Sequence, residues 1–314
     1  MKLINGPENF VPENYYNGPV SNFRTGYNDP VPLGVWWWNG PSIKNYDDGK
    51  AYYTDVDTMF AFLIKNKVNE IYVTASVMTA TSTPQPDKLT FAELGVFIGR
   101  CARYGITVDV LLGDDGSWLD TQSPFYSYMS LIEAYQTQAA PSQKFRGVHL
   151  DVEPNITRPL SNPQNAAAFA NFIVNHAYPA VSALNLQMAF SIPFWYDQFL
   201  VTDGGQSMTL TELIFKYCDY VSVMSYRDTA AAVYSLLDEE IGLAKKYNRR
   251  MNVSLESIYT EEGDYVSFAE DGKLEMVKQI NLLRQMLNQE TGLKFGLSVH
   301  HAHTWYALQD NPLP

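Results

Sequence analysis

Two carboxylates separated by one residue, Asp151 and Glu153, end the apolar run GVHLDVEP. Side chains two apart in a β-strand point to the same side, so we expect these carboxyl groups to lie next to each other. Two adjacent carboxyl groups cannot both ionise freely, and the pKa of one then rises toward that of a general acid. The alternative is a structural salt bridge from this pair to Arg146 or Arg227.

Carboxylates and indole rings also follow several other short apolar runs. Cleavage of a glycosidic bond uses such a set, because an acid protonates the leaving oxygen, a second group supports the oxocarbenium-like centre and aromatic faces stack on sugar rings. We therefore expect an oligosaccharide or polysaccharide substrate and no cofactor. The candidates for binding it are Trp38, Asp114, Trp195, Arg227, Glu256, His300 and Trp305.

Three histidines near the end of the chain, His300, His301 and His303, suggest an alternative, a metal-dependent hydrolase. Barrels that use histidine and aspartate in this way commonly carry a His-x-His at the end of the first strand, and none is present here. We therefore predict no metal, and expect these histidines to hydrogen-bond the substrate or a carboxylate.

Short β-rich runs alternate with longer helical patterns from residue 32 onward. The predicted strands are Gly34–Trp38, Glu70–Val77, Ile106–Leu112, Gly147–Val152, Gln187–Pro193, Tyr220–Ser225, Met251–Leu255 and Phe295–Val299, and the predicted helices are 54–66, 90–104, 124–139, 163–182, 209–217, 229–247 and 271–290. This alternation predicts an α/β fold, a single (β/α)8 barrel with a short or missing last helix. An open doubly wound sheet is less favoured, since no GxGxxG follows a strand.

The barrel is expected to span residues 32–314 as one catalytic domain, because no repeat or interior linker interrupts it. Residues 1–31 are rich in Asn, Pro, Gly and Tyr and lack any periodicity, which predicts an irregular N-terminal arm laid over the barrel. In such a barrel the carboxyl ends of the strands carry the chemistry, and the candidate residues named above lie at or after the carboxyl ends of predicted strands.

Three helix starts have the spacing of a capping box: Thr90 with Glu93, Ser161 with Gln164, and Thr209 with Glu212. In this motif the hydroxyl accepts a hydrogen bond from a free backbone N–H, and the acid or amide side chain reaches back to the backbone N–H of the capping residue.

The side chains of the WWW run alternate in direction, so Trp36 and Trp38 should share one face and Trp37 the other.

GVHLDVEP resembles the fourth-strand pattern of family 18 glycoside hydrolases, the chitinase-like barrels, in which Asp-x-x-Asp-x-Asp-x-Glu ends the strand. DYVSVMSYRD, residues 219–228, is similar to that family's sixth-strand run, Met-x-Tyr-Asp. The resemblance implies that Glu153 is the general acid and that Asp151 orients the 2-acetamido group of the substrate, whose oxygen is the nucleophile. It also implies that the Tyr226 hydroxyl steadies the intermediate and that Met224, a substrate-binding residue, packs beside it.

The sequence departs from this family at several positions. Arg146 and His149 stand where the pattern has its first two aspartates, Arg227 follows Tyr226 in place of Asp, and His300 stands near the position of a tryptophan. Some relatives keep the fold and bind glycans without cleaving them, so a non-catalytic glycan-binding barrel is an alternative.

Glu153 followed by Pro154 also resembles, more loosely, another large clan of barrel glycosidases, although Val152 replaces the expected Asn. In that clan the nucleophile is a Glu after strand seven, here Glu256. A covalent intermediate would then form between carboxyl groups about 5–5.5 Å apart.

The composition limits the classes of partner. The chain has 314 residues and a net charge of −12, which disfavours binding to nucleic acid or anionic lipid because the phosphates would be repelled. Two cysteines, Cys101 and Cys218, cannot build a disulfide framework and are expected to be small buried residues, although one bridge between them stays open. No signal-peptide pattern is visible in residues 1–15, so either an intracellular protein or a trimmed secreted chain is expected.

Overall fold

The computed structural model describes residues 31–38, 40, 56–83, 85, 88–308 and 310. Except for Val31, the predicted N-terminal arm lies outside these residues.

Eight parallel strands close into a barrel, as the sequence predicts. They are β1 (Leu33–Trp36), β2 (Glu70–Thr74), β3 (Thr107–Asp114), β4 (Gly147–Val152), β5 (Gln187–Pro193), β6 (Tyr220–Met224), β7 (Arg250–Glu256) and β8 (Lys294–His300). The barrel closes where Leu33 of β1 pairs with Leu297 of β8. The carboxyl ends of all eight strands therefore meet at one rim.

Helices follow the strands around the outside of the barrel. They are α1 (Val56–Lys65), α2 (Phe91–Arg103), α3 (Ser123–Gln138), α4 (Pro163–Phe172), α5 (Tyr178–Ala183), α6 (Leu210–Tyr217), α7 (Ala230–Tyr234), α8 (Asp238–Tyr247), α9 (Gly272–Leu287) and α10 (Ala302–Ala307). The last of these, after β8, is short, as expected. The fold is thus a (β/α)8 barrel.

The apolar residues divide into a large outer core between strands and helices and a small cluster inside the barrel. Trp37 belongs to the outer core, whereas Trp36 lies inside the barrel with Tyr72 and Tyr220. Trp38 packs against this inner cluster. The predicted alternation of the three tryptophans is therefore confirmed.

Two predicted helices are interrupted. The predicted helix 163–182 contains a π-helical turn, Ile173–Ala177, between α4 and α5. Pro179, in the first turn of α5, lacks an N–H and would clash with the carbonyl four residues earlier in a regular helix, and a wider turn accommodates it. The predicted helix 229–247 is divided into α7 and α8 at residues 235–237.

The three predicted capping boxes have different outcomes. Thr90 and Glu93 form the complete box at the start of α2. Thr209 Oγ1 accepts from the Glu212 N–H at 3.0 Å, but the Glu212 carboxylate bonds Lys246 and Tyr247 instead of reaching back. The prediction for Ser161 is wrong.

Asn162 is the residue that caps α4, and its Oδ1 accepts from the Gln164 N–H at 3.0 Å. Pro163 explains the difference, because proline is favoured at the first helical position and moves the cap to the residue before it.

Cys101 and Cys218 are both buried and both free thiols, so no bridge joins them. Among the described residues no helix is long and apolar enough to cross a membrane.

Candidate active site at the carboxyl rim of the barrel

Asp151 is the next-to-last residue of β4 and Glu153 directly follows this strand. The Glu153 backbone N–H donates to the Asp114 carbonyl of β3 at 2.8 Å, which continues the sheet pairing past the end of β4. Burial, followed by the charge of Asp151, raises the pKa of Glu153 to about 7. Burial also raises the pKa of Asp151. The pair can therefore hold a proton at neutral pH.

Neither arginine named as an alternative partner forms a salt bridge with this pair. Arg146 binds Asp109 at 2.5 Å and also contacts Glu70, at the opposite end of the barrel. Arg227 donates to the Tyr226 carbonyl at 2.6 Å. Among the described residues, the Asp151 Oδ1 atom is buried without a hydrogen-bond partner, which leaves an acceptor unused inside the rim.

Two tyrosine hydroxyls lie in the electrostatic field of this pair. Burial, followed by the charges of Glu256, Asp151 and Glu153, raises the pKa of Tyr226 well above its usual range. Burial and the charges of Glu153 and Asp151 raise that of Tyr196 in the same way. Both phenols are therefore neutral hydrogen-bond donors at physiological pH.

Tyr196 is absent from the sequence-based candidates, although it lies close enough for the charges of both carboxylates to raise its pKa. Its hydroxyl is buried, and within the described part of the chain it has no partner. It stands in a 3-10 turn, Tyr196–Gln198, just after β5. No strand or helix period runs through such a turn, so its position after the strand was the only indication in the sequence.

A second group on the rim joins Glu256 and His300, which are paired residues of β7 and β8. Glu256 Oε2 contacts His300 Nδ1 at 2.9 Å, and Oε1 accepts from the Ser257 and Ile258 N–H groups at 2.7 and 2.8 Å. Both oxygens of Glu256 are thus engaged.

Trp38 sets the tautomer of His300. The indole N–H can only donate, and it donates to His300 Nε2 at 3.0 Å. The imidazole proton therefore resides on Nδ1 and is donated to Glu256. The Tyr226 ring stacks on His300, with 6.3 Å between centroids and an interplanar angle of 20°. This arrangement connects four of the predicted residues, Trp38, Tyr226, Glu256 and His300, in one assembly.

A row of polar side chains runs from the rim into the barrel behind Asp151. The Ser191 hydroxyl lowers the pKa of Asp151 and so opposes the effect of its burial. Ser191 Oγ also lies 2.9 Å from His149 Nε2, and His149 Nδ1 lies 3.1 Å from the Tyr220 hydroxyl. Burial lowers the pKa of His149 to about 3, so its ring is neutral.

The remaining predicted binding residues lie in different environments. Met224 ends β6 and is half-buried, and Trp195 is partly buried against Tyr196, with 5.2 Å between ring centroids. Asp114 ends β3, but its Oδ2 accepts from the Gly116 and Trp118 N–H groups at 2.8 and 3.0 Å. Its carboxylate therefore holds the loop after β3.

The prediction for Trp305 requires correction. Only 1% of this residue is exposed, and its ring packs edge-on against Phe62 of α1, with 5.1 Å between centroids. It lies on α10, whose inner face joins the outer core, so the indole has no face available for a sugar.

The other two histidines are also buried behind the rim. Burial lowers the pKa of His301 to about 2 and that of His303 to about 4, and His303 Nε2 accepts from the Trp37 indole at 3.0 Å. In the part of the chain that the structure describes, no group of three His, Cys, Asp or Glu residues is arranged to hold a metal ion.

Neither a protein-family model nor a curated protein matches this sequence. The structure is similar to a family GH18 chitinase from Pseudoalteromonas aurantia, at 10% identity over 86% of this chain and 94% of that chain, with a TM-score of 0.57. It is similar to the spore cortex-lytic enzyme of Bacillus megaterium, at 11% identity over 90% and 74% of the two chains, with a TM-score of 0.51.

A chitinase from Chromobacterium violaceum is similar at 14% identity over 88% of this chain and 97% of that chain, with a TM-score of 0.50. At these identities the likeness establishes the architecture alone. The expected likeness to chitinase-like barrels is confirmed at that level: this chain has the (β/α)8 barrel fold of family 18 chitinases.

Proposed function

We propose that this protein is a glycoside hydrolase that cleaves a β-linked glycan containing N-acetylhexosamine, with Glu153 as the general acid. The observation that carries the proposal is the buried pair at the end of β4, in which the pKa of Glu153 is about 7. An acid with a pKa near the working pH is both protonated and able to release its proton. The similar folds of two chitinases and a cortex-lytic enzyme add support by analogy.

Asp151 is suited to orient the substrate rather than to attack it. Its buried Oδ1 atom, without a partner among the described residues, can accept the N–H of a 2-acetamido group. The acetamido oxygen then forms a bond to C1 as the glycosidic C1–O bond breaks, and the Glu153 proton passes to the leaving oxygen. Water subsequently opens the cyclic intermediate, with Glu153 as the base.

The two tyrosines supply neutral hydrogen-bond donors beside the reacting centre. Tyr226 lies in the field of three carboxylates and stays protonated, so its hydroxyl can donate to the acetamido oxygen. The unpartnered Tyr196 hydroxyl can donate to a sugar oxygen near Glu153.

The contacts of Glu256 favour this mechanism over the one in which Glu256 is the nucleophile. A nucleophilic carboxylate needs an oxygen that can approach C1, whereas three donors occupy the two oxygens of Glu256. We assign Glu256 to fixing His300, and through it Trp38, at the rim.

The test is release of reducing ends from β-linked oligosaccharides with and without 2-acetamido groups. We expect cleavage of the acetamido sugars alone, and a loss of about 10²–10⁴-fold in Glu153→Gln. Glu290→Gln, at a surface ion pair with Lys245, is the matched control and should behave as wild type. Full activity of Glu153→Gln would contradict the proposal.

Two other outcomes favour the alternatives. Cleavage of plain glycosides, also lost in Glu153→Gln, would make Glu256 the nucleophile. Saccharide binding without any release of reducing ends would favour a glycan-binding barrel, which the departures at Arg146 and His149 first suggested. In the structure these two residues belong to the polar network inside the barrel.

A further inference from the structure

Arg227 directly follows Tyr226 at the end of β6 and is held in place on three sides. Its guanidinium carbon lies 5.4 Å from the centroid of the Phe194 ring, which follows β5, and 5.3 Å from that of Tyr265, in the loop after β7. Its Nη1 donates to the Tyr226 carbonyl at 2.6 Å. The cation is therefore preorganised at the rim beside Tyr226.

Arg227 differs from five other arginines of the described chain in its ion pairs. Arg100, Arg146, Arg158, Arg249 and Arg250 each form an ion pair with a carboxylate. No carboxylate in the described ranges forms an ion pair with Arg227, even though Asp228 is its neighbour in sequence. Burial raises the pKa of Asp228, whereas the charge of Arg227 lowers it.

The carboxyl rim as a whole is strongly acidic. Asp114, Asp151, Glu153 and Glu256 all lie at or next to the carboxyl ends of β3, β4 and β7. A glycan with many negative charges would be repelled there, whereas one anionic group placed at Arg227 would be attracted. A guanidinium is planar and matches a carboxylate with two parallel N–H donors.

We propose that Arg227 binds a carboxylate carried by the glycan at the sugar next to the cleavage point, so that the preferred substrate is an acidic glycan and not a neutral one. This inference rests on the proposed function, because it places the substrate in the same cleft. It adds a specificity residue, and Phe194 and Tyr265 become the positioning residues that orient its guanidinium.

The experiment uses one β-linked, N-acetylated oligosaccharide in two forms, with its carboxylate intact and with that carboxylate reduced to an alcohol. Binding is measured calorimetrically with the full chain carrying Glu153→Gln, so that neither form is consumed. We expect the acid form to bind about 10–100-fold more tightly than the alcohol. Arg227→Gln added to this background should remove the preference, and Arg227→Lys should keep part of it.

Arg249→Gln is the matched control, because Arg249 pairs with Asp219 near the amino end of β7. It should leave the preference for the acid form intact. Equal binding of the two forms, or a preference that persists in Arg227→Gln, would overturn the inference.

The two proposals fail in distinguishable ways. If the wild type cleaves the alcohol form as well as the acid form, the glycosidase proposal stands and the role of Arg227 is wrong. If the acid form binds through Arg227 and is not cleaved, the role of Arg227 stands and the catalytic proposal is wrong. Binding of neither form would contradict both.

Discussion

At the scale of single residues, two carboxyl groups share one buried site at the end of β4. Side chains two apart along a strand point to the same side, which is sufficient to place Asp151 and Glu153 together. Nearly every residue of β4 is buried, so both carboxyl groups lie next to a covered strand. The predicted bounds of β4 and β5 also agree with the structure. Buried strands that begin or end at Gly or Pro leave little choice of boundary.

The first prediction concerns the pH dependence of catalysis. The raised pKa of Glu153 means that the acid form is present below about pH 7 and is lost above it. We therefore expect kcat/KM to fall about tenfold per pH unit on the alkaline side, with a midpoint near 7. A steady-state pH series checks this, and a profile that stays flat through that range would contradict the assignment.

The second prediction separates the two roles considered for Glu256. In Glu256→Gln the contact to His300 Nδ1 is weakened, and loss of one charged hydrogen bond corresponds to about a tenfold drop in kcat/KM. Added azide should not restore activity. A loss as large as that of Glu153→Gln, with azide forming a glycosyl azide of inverted configuration, would show that Glu256 is the nucleophile.

At the scale of elements, the start of a helix can be predicted from the sequence where a local motif sets it. Interruptions inside a helix are harder to predict. The apolar pattern continues through residues 173–177, so it does not indicate the π-helical turn, whose signal in the sequence is Pro179. Tyr196 and Trp305 show the same limit for the site. The type of a residue does not indicate which face of a short turn or helix its side chain occupies. For Trp305, packing in the fold places the ring against Phe62.

The third prediction tests the complete capping box of α2. Thr90→Ala removes the oxygen that accepts the Glu93 N–H and also the hydroxyl that bonds the Glu93 carboxylate. The free energy of unfolding should fall by about 1 kcal/mol. Urea denaturation measures this as a lower midpoint with an unchanged slope.

Thr137→Ala is the control for that measurement. Thr137 lies in α3 and, within the described ranges, its exposed hydroxyl bonds only the Glu133 carbonyl one turn earlier, so its removal should be nearly neutral. Equal losses in the two variants would mean that the box does not stabilise the start of α2.

At the scale of the whole molecule, a charged cluster closes the end of the barrel opposite the rim. Glu70 lies between two arginines: Arg250 Nη1 is 2.6 Å from its Oε1, and Arg146 contacts the same oxygen. Although burial alone would raise the pKa of Glu70, these two arginines lower it to about 2. From the sequence alone, Arg146 is one possible salt-bridge partner of the Asp151 and Glu153 pair. In the structure it lies at the opposite end of the barrel, where β2, β3 and β7 contribute Glu70, Asp109 and Arg250.

The fourth prediction concerns this cluster. Glu70→Gln leaves two buried guanidinium groups without their shared carboxylate and should lower the free energy of unfolding by about 3–5 kcal/mol at neutral pH. Glu290→Gln, at the exposed pair with Lys245, should cost about 0–1 kcal/mol.

The pH dependence of that difference has a defined sign. The folded-state pKa of Glu70 is below its ordinary value of 4.5, so its contribution is complete above that pH and is lost as pH falls toward 2. Stability curves of wild type and Glu70→Gln should therefore converge in acid. A constant gap between them down to about pH 2 would show that the ionised Glu70 does not stabilise the barrel.

The central claim, that Glu153 donates the proton to the leaving oxygen, is tested most directly by varying the leaving group. Wild type and Glu153→Gln are compared on one N-acetylated sugar joined either to another sugar or to a dinitrophenol, whose oxygen leaves without protonation. We predict a loss of about 10²–10⁴-fold on the sugar-linked substrate and a far smaller loss on the dinitrophenyl glycoside. An equal loss on both substrates would contradict the assignment of Glu153 as the general acid.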